Sequence, residues 1–502
     1  MTAQPEPYDL LVVGGGINGA GIARDAAGRG LRTLLVEQGD LASATSSAST
    51  RLIHGGLRYL EHYEFRLVAE SLAEREVLLR VAPHVVWPLE FVLPHEPHLR
   101  PRWMIRVGLF LYDHLSRRVT LPGSRGVRLT PGRYGAGLRP DLTRGFTYSD
   151  CAVDDARLVI LTARGAAERG ATIMPRTRCV AGRRDGVLWR VSLEDAVTGV
   201  RAEVACRALV NVAGPWVRTV LDEALAVPVP GDVRLVQGSH IVVPRVHDQT
   251  HAVILQNPDG RVIFLIPYEE DYTEIGTTDV PIEGMDPPPA CSRDEIDYLC
   301  AAASRYTLHP VTPDRVVHTW SGVRPLYDDG TDDPSAITRD YRLVLDENGP
   351  PLLSVFGGKL TTYRKLAEAA LERLARWFPG RRAWTERAAL PGGDFGGSTF
   401  EEVVTAYRGR YPRLDPRWLR RLLRRHGTCA AEILGDAQAE ADLGEALGGG
   451  LYERELRFLV EREWARTPED VLWRRTKCGI HMTAAQRRRV AACMGATAEE
   501  TA

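Results

Sequence analysis

Tyr8-Asp9-Leu10-Leu11-Val12-Val13-Gly14-Gly15-Gly16-Ile17-Asn18-Gly19 is the stretch that decides the fold of this chain. Residues 10–13 read as a buried strand. Gly14 can take the tight turn after it, Gly16 lets backbone approach a pyrophosphate, and Gly19 lets the following helix pack close to the strand. The helix continues over 20–28 with the small Ala23 on its packing face. A second strand, 33–36, ends at Glu37, 18 residues past Gly19. A carboxylate there can accept hydrogen bonds from an adenosine ribose. Strand, glycines, helix, strand and terminal acid in that order point to a bound dinucleotide.

At 502 residues the chain has material for two or three domains with ample core. Its 44% hydrophobic and 26% charged residues are ordinary for a globular enzyme. A net charge of −1 gives no global pull toward nucleic acid or an anionic membrane, so any such contact must be local. The dinucleotide strand begins near residue 8, which leaves no room before it for a signal or transit peptide. No apolar run reaches the ~20 residues of a membrane span. The eight cysteines are scattered, with no CxxC pair, and read as reduced residues of a cytoplasmic protein. No metal constellation stands out; the 13 histidines are taken to lack HxxxH or Cys/His spacing.

Only three of the 64 basic residues are lysine: Lys359, Lys365 and Lys477. Arginine is the default cation here. A position that keeps lysine can be one that needs a compact ammonium, and Lys359 in Gly357-Gly358-Lys359-Leu360-Thr361-Thr362 is the suspect.

Mixed α/β texture gives way to helices along the chain. Residues 40–60 are rich in Ser, Thr and Gly, and such a loop offers hydroxyl and backbone donors to phosphates or an isoalloxazine ring. A long helical pattern covers 62–82, and strand-like runs follow at 207–212, 240–243, 252–255, 262–266 and 352–355. Strands that complete the nucleotide domain are thus interrupted by a second sheet. After about residue 385 a Gly-rich linker leads into helices at 400–408, 416–426 and 468–477, the last with Thr467 as its cap. The expected division is 1–385 for the interleaved domains and 386–502 for a helical domain.

Two basic amphipathic segments can suit an anionic lipid interface, although such a pattern is more often a solvated face over a core stripe. Residues 98–118 set Arg100, Arg102, Arg106, Arg117 and Arg118 around Trp103, Met104, Ile105, Val107, Leu109, Phe110 and Leu111. Residues 417–426 set Arg417, Arg420, Arg421, Arg424 and Arg425 against Trp418, Leu419, Leu422 and Leu423.

The dinucleotide is either a diffusing nicotinamide or a resident flavin, because only one GxGxxG is present. Three features favour flavin. The Ser/Thr-rich loop (Thr45, Ser46, Ser47, Ser49, Thr50) directly follows the second strand. The strand 209–212 runs into the small-residue turn Ala213-Gly214. Gly357-Gly358 lies between a strand and a helix starting near Thr361, whose backbone amides can bond a flavin pyrimidine oxygen.

The stretch from Thr45 through Arg51-Leu52-Ile53-His54-Gly55-Gly56-Leu57-Arg58-Tyr59 to Glu61 resembles the aerobic, FAD-dependent glycerol-3-phosphate dehydrogenases. So do Gly238-Ser239-His240, Gly276–Asp279, Ser321–Leu326, Thr338–Tyr341 and 357–364, in order over residues 8–477. The resemblance implies an α/β fold: a glutathione-reductase-like FAD-binding domain interleaved with an antiparallel-sheet substrate domain, plus a C-terminal helical domain. It implies oxidation of sn-glycerol 3-phosphate to dihydroxyacetone phosphate by hydride transfer from C2 to FAD, with electrons passed to membrane quinone. Peripheral attachment to the cytoplasmic face of the membrane, a homodimer and no nucleic-acid partner follow as expectations. Peroxide-forming oxidases of this group carry an insertion that is not found here. The same resemblance adds Asn18, Leu57, Leu360 and Thr362 to the cofactor contacts, beside Gly14, Gly16, Gly19, Glu37, His54, Gly55, Gly56, Ala213, Gly214, Gly358 and Thr361.

A small phosphorylated substrate needs cations that fix a dianion. The family's candidates are Arg58, Arg324, Arg339 and Lys359, with Tyr59 as a hydroxyl partner. Hydride loss from C2 leaves a hydroxyl proton to remove, and histidine is the usual base at neutral pH. His54 and His240 are the candidates, and the sequence does not separate them. The competing functions are an oxidase using O₂, an amine or amino-acid oxidase, and a non-catalytic flavoprotein.

Overall fold

A computed structural model describes residues 6–97, 99–328 and 340–495, without the side chains of Arg58 and His62. Arg339 and the Arg58 side chain, both expected at the phosphate, lie outside the described residues.

The opening stretch folds as read. Tyr8–Val13 is a strand and Ile17–Gly28 a helix, so the helix starts three residues earlier than its pattern suggests. Thr33–Val36 pairs parallel with the first strand, and Thr172–Met174 pairs parallel with Thr33–Val36. On the other side lie Arg201–Asn211 and then Leu352–Phe356, both parallel, with Arg342–Asp346 as an antiparallel edge. Apolar runs such as Leu10-Leu11-Val12 are fully buried because both faces are covered: helices pack on Leu10 and Val12, while Leu11 shares a cluster with Trp189, Val191 and Leu193 on the other face. Thr177–Asp185 and Leu188–Asp195 form an antiparallel meander with the first half of Arg201–Asn211.

Between these strands the chain leaves twice to build a second sheet. Val86–Pro94 and Arg144–Val153 come from the first excursion; Val233–Pro244, Ala252–Gln256, Val262–Tyr268, Tyr272–Gly276 and His318–Tyr327 come from the second. The sheet was expected to be antiparallel, and one pair corrects this: Ala252–Gln256 runs parallel to Val86–Pro94. No hairpin links those strands, since they belong to different excursions, so nothing in the connection forces them antiparallel.

Residues 400–490 bury a core of their own around Leu419, Leu422, Leu423, Leu447 and Leu459. The helix Pro416–His426 starts where Asp415 accepts from the Trp418 N–H at 2.7 Å, with Pro416 in the first turn. Its apolar residues face that core: Leu419, Leu422 and Leu423 are fully buried. Segment 417–426 is therefore not a lipid-facing helix; its leucines are spoken for. The expected helix 468–477 forms over 468–475, with Asp470–Arg475 wound as a π-helix, and ends two residues sooner than read. Thr467 caps it as read, but Asp470 is drawn to Arg176 as well as to Arg474, and the chain breaks at Lys477 with φ +78°.

The other amphipathic segment behaves differently. The helix Arg102–His114 buries Leu109 and Tyr112 and leaves Trp103, Val107 and Phe110 at 66%, 51% and 51% exposure. No helix among the described residues is long and apolar enough to cross a membrane.

Candidate active site

Five segments meet at the C-terminal edge of the parallel strands, where open α/β sheets take their ligands. The first is the glycine turn. Gly14 has φ +122°, and a Cβ there would stand 2.6 Å from the Val212 carbonyl oxygen. The turn therefore lies directly on 212–214, where Ala213 and Gly214 were expected at the cofactor. A Cβ on Gly19 would stand 1.9 Å from the Gly14 oxygen, which explains the third glycine as close packing. Gly16 precedes the helix in extended backbone, with no side chain capping the helix. The Ile17 N–H goes to Ser46 Oγ, and the amides that follow it in the first turn point toward the place a pyrophosphate would take.

Glu37 closes the far end. Its carboxylate accepts from the Gly15 and Gly39 N–H groups, each at 2.7 Å, and burial pushes its pKa up against those bonds. The third segment is the Ser/Thr loop. Ser46 Oγ accepts from the Ile17 N–H at 3.1 Å, and Thr45 donates to the Val323 carbonyl at 2.6 Å. This ties the loop to the nucleotide helix and to the second sheet. The Ser49 hydroxyl is committed to Asp155 at 2.8 Å, and Ser47 reaches only the Ala44 carbonyl at 3.5 Å.

The last two segments join 54–59 to 357–362. Asn18 Nδ2 donates to the Gly357 carbonyl at 3.4 Å. Its buried Oδ1 has no hydrogen bond to the described protein, an orphaned acceptor that a ligand at this edge would satisfy. The His54 N–H donates to Thr361 Oγ1 at 3.3 Å. Thr361 and Thr362 are buried at the start of the helix Tyr363–Arg373, and Leu360 packs against the sheet core. Gly56 has φ +78° and turns the chain into Leu57–His62. There the Tyr59 ring lies 6.5 Å from the His54 ring and 4.0 Å from the Lys359 ammonium. A helix start at a glycine, a carboxylate at the second strand's end, backbone without room for Cβ and an orphaned amide oxygen together fit an FAD.

His240 and Arg324 belong to a second group. His240 sits opposite Gly276 and Trp320 in the sheet. Its ring stacks on Trp320 at 5.2 Å, and Nε2 lies 3.0 Å from the Thr50 hydroxyl and 3.8 Å from Glu274. Gly276 makes room for that ring, since a Cβ would stand 2.0 Å from its Cδ2. Burial, then Arg51 and Arg324, hold the imidazole well below its ordinary pKa. With 2% exposure His240 is enclosed, whereas His54 is half-buried. Arg324 pairs with Asp279 and donates to the Thr278 carbonyl at 3.2 Å.

Several residues at the site were not singled out from the sequence. Arg51 stacks 3.9 Å from the Trp320 ring centre and pairs with Glu274 at 3.0 Å. Burial lifts the Glu274 pKa to about 7 against the pull of Arg51. Arg51 lies inside the quoted motif, but its neighbours come from strands far along the chain. One histidine pair does have the HxxxH spacing. His247 and His251 are four apart and stack at 4.8 Å, though no group of three metal-ligating side chains is present among the described residues.

The fold and this edge define a class: FAD-dependent oxidoreductases in which a second sheet covers one end of the nucleotide site. Residues 9–364 match the family described as FAD dependent oxidoreductase, and 383–502 match the C-terminal domain of alpha-glycerophosphate oxidase. The chain is 53% identical over 490 residues to the aerobic glycerol-3-phosphate dehydrogenase of Escherichia coli (strain K12), covering 97% of each. It is 50% identical over 487 residues to the D-erythritol 1-phosphate dehydrogenase of Brucella abortus (strain 2308), again 97% of each. The crystal structure of a glycerol-3-phosphate dehydrogenase from Bacillus halodurans complexed with FAD superposes with a TM-score of 0.76 at 28% identity, covering 99% of this chain and 92% of that one. The chain belongs to the family of FAD-dependent glycerol-3-phosphate dehydrogenases, and FAD is its cofactor.

Proposed function

We propose that the protein oxidises sn-glycerol 3-phosphate to dihydroxyacetone phosphate and delivers the electrons to a membrane quinone. The observation that carries this reading is the meeting of His54, Tyr59 and Lys359 beside the Thr361 turn. FAD, when bound, supplies the acceptor for the C2 hydride. Lys359 provides a compact positive charge for the phosphate, with Tyr59 against it. Arg324 stands in the neighbouring strand, and Arg58 and Arg339 are assigned to the phosphate by family resemblance. His54 takes the proton of the C2 hydroxyl; it is the accessible member of the histidine pair. His240 acts from behind, through the Thr50 hydroxyl.

The exposed face of Arg102–His114 is the peripheral contact with an anionic membrane, basic at its flank and apolar at its crown. Eight cysteines without a disulfide suit the reducing cytoplasmic side.

Anaerobic mixing of the FAD-loaded enzyme with glycerol 3-phosphate is the test. Bleaching of the flavin band within the instrument's seconds, with none from glycerol, supports the reading. Faster bleaching by D-erythritol 1-phosphate would reassign the substrate to the longer polyol phosphate. Stoichiometric peroxide during aerobic turnover would make the enzyme an oxidase.

A further inference from the structure

The residue after His54 is held from beneath by a buried network that the mechanism above does not use. The Gly55 N–H donates to Tyr112 Oη at 2.8 Å and approaches Asp150 Oδ1 at 3.4 Å. Tyr112 Oη lies 2.8 Å from both Asp150 oxygens. Arg75 Nη1 donates to the same carboxylate at 2.6 Å and to the Ser149 carbonyl at 2.7 Å. Arg75, Tyr112 and Asp150 come from two helices and a strand, and each is at most 3% exposed.

The chemistry fixes the direction of every bond. A phenol has one proton, and beside an ionised carboxylate it donates that proton there. Its lone pairs are then left to accept from Gly55. There is no slack in the packing either: a Cβ on Gly55 would stand 2.5 Å from Leu72 Cδ2 and 2.7 Å from Tyr112 Oη. On the opposite side Thr361 engages both the N–H and the carbonyl of His54. The peptide of His54 is clamped between the cofactor turn and a buried ion pair. Burying such a pair is costly, and here its remaining acceptors are directed at one backbone amide.

We propose that Tyr112 and Asp150 are positioning residues for the reaction: by holding the Gly55 amide they set where the His54 imidazole stands against the substrate. The inference rests on the assignment of His54 as the base.

The experiment compares Tyr112→Phe, Asp150→Asn, His54→Gln and Leu109→Ala in the FAD-loaded enzyme. Leu109 lies buried one turn before Tyr112 on the same helix, has no hydrogen-bonding side chain, and serves as the packing control. Anaerobic stopped flow gives the flavin-reduction rate and the substrate Kd, and hydrogen exchange follows the peptide covering 53–57. Tyr112→Phe should slow flavin reduction roughly 10–100-fold, as a small misplacement of a reacting group does, with Kd changed far less. Its Gly55 amide should exchange faster, while Leu109→Ala lowers the melting temperature and keeps the rate. If Tyr112→Phe does not fold, Asp150→Asn carries the same expectation with its shape retained. A wild-type rate in Tyr112→Phe beside a slow His54→Gln overturns the inference alone. Equal slowing in Leu109→Ala overturns it too, reducing the network to packing. A wild-type rate in His54→Gln overturns the base assignment on which it stands.

Discussion

The Lys359 ammonium stands 4.0 Å from the centre of the Tyr59 ring. In a chain with three lysines among 64 basic residues, this one stands in the 357–362 turn and against an aromatic face. The ring face attracts the ammonium and helps fix where its charge stands. Lys359→Met should raise the substrate Kd about 10–100-fold, the worth of a charge-assisted bond of about 1.5–3 kcal/mol. Lys359→Arg should recover little, because a planar fork does not replace a point charge in the same space. Titration of the flavin band with glycerol 3-phosphate measures both; an unchanged Kd in Lys359→Met would remove the lysine from the phosphate site.

Acid should loosen the C-terminal helices. Arg157 Nη2 donates to Glu463 at 2.9 Å, and both side chains are fully buried. Burial alone would raise the Glu463 pKa, but Arg157, its hydrogen bonds, His426 and Arg475 overrule it and hold the carboxyl at about 2. A depressed carboxyl contributes stability above its unfolded pKa of about 4.3 and loses it as pH falls toward the folded value. Melting temperatures taken between pH 7 and pH 3 should drop steeply below about pH 5. Glu463→Gln should be less stable at pH 7 by about 3–5 kcal/mol, since Arg157 is left buried without its counter-charge. Its acid-side slope should also be shallower. A slope identical to wild type would mean that other carboxyls carry the acid limb.

Local patterns were legible in the sequence; partners far along the chain were not. Strand, glycine turn and helix over 8–28 follow from apolar runs and Cβ-free residues, so they could be read directly. His54, Tyr59 and Lys359 are legible without geometry, because motif and composition mark them. What brings Glu274 to Arg51 and His240 is strand register, set by packing across two sheets, and no short window contains it. Asp150 carried a weaker signal, an acid in the middle of the apolar strand Arg144–Val153. The two amphipathic segments show the limit from the other side. Their patterns are alike, yet one apolar stripe covers a core and the other faces outward, and periodicity alone cannot tell which surface lies opposite.

That difference can be measured. The double change Trp103→Ser and Phe110→Ser removes two exposed rings from the helix Arg102–His114. It should lower binding to anionic vesicles at least tenfold, since each ring offers roughly 1.5–3 kcal/mol of apolar burial, and leave stability within about 0.5 kcal/mol. Leu422→Ser, on the buried stripe, should instead destabilise by about 3 kcal/mol or more without a specific effect on vesicle binding. Sedimentation with vesicles at low and high salt reads the first effect, and thermal unfolding the second. Unchanged sedimentation of the double variant would sink the membrane assignment.

Gly358 tests the cofactor edge most directly. Its φ of +109° is one that side chains rarely adopt, and a Cβ would stand 2.5 Å from Asn18 Nδ2. Asn18 cannot yield freely, because it sits in the first turn of the nucleotide helix and bonds the Gly357 carbonyl. Gly358→Ala must therefore strain its own backbone, by about 1–3 kcal/mol, or push the helix start and the 357–362 turn apart. Either outcome weakens whatever both segments hold. FAD affinity, measured by the recovery of flavin fluorescence on dilution, should fall at least tenfold. Gly126→Ala, where nothing lies within 4 Å of the added methyl, should leave it unchanged. Full retention of FAD by Gly358→Ala would mean that the 357–362 turn does not touch the cofactor, and the placement of Lys359 at the reacting end would fall with it.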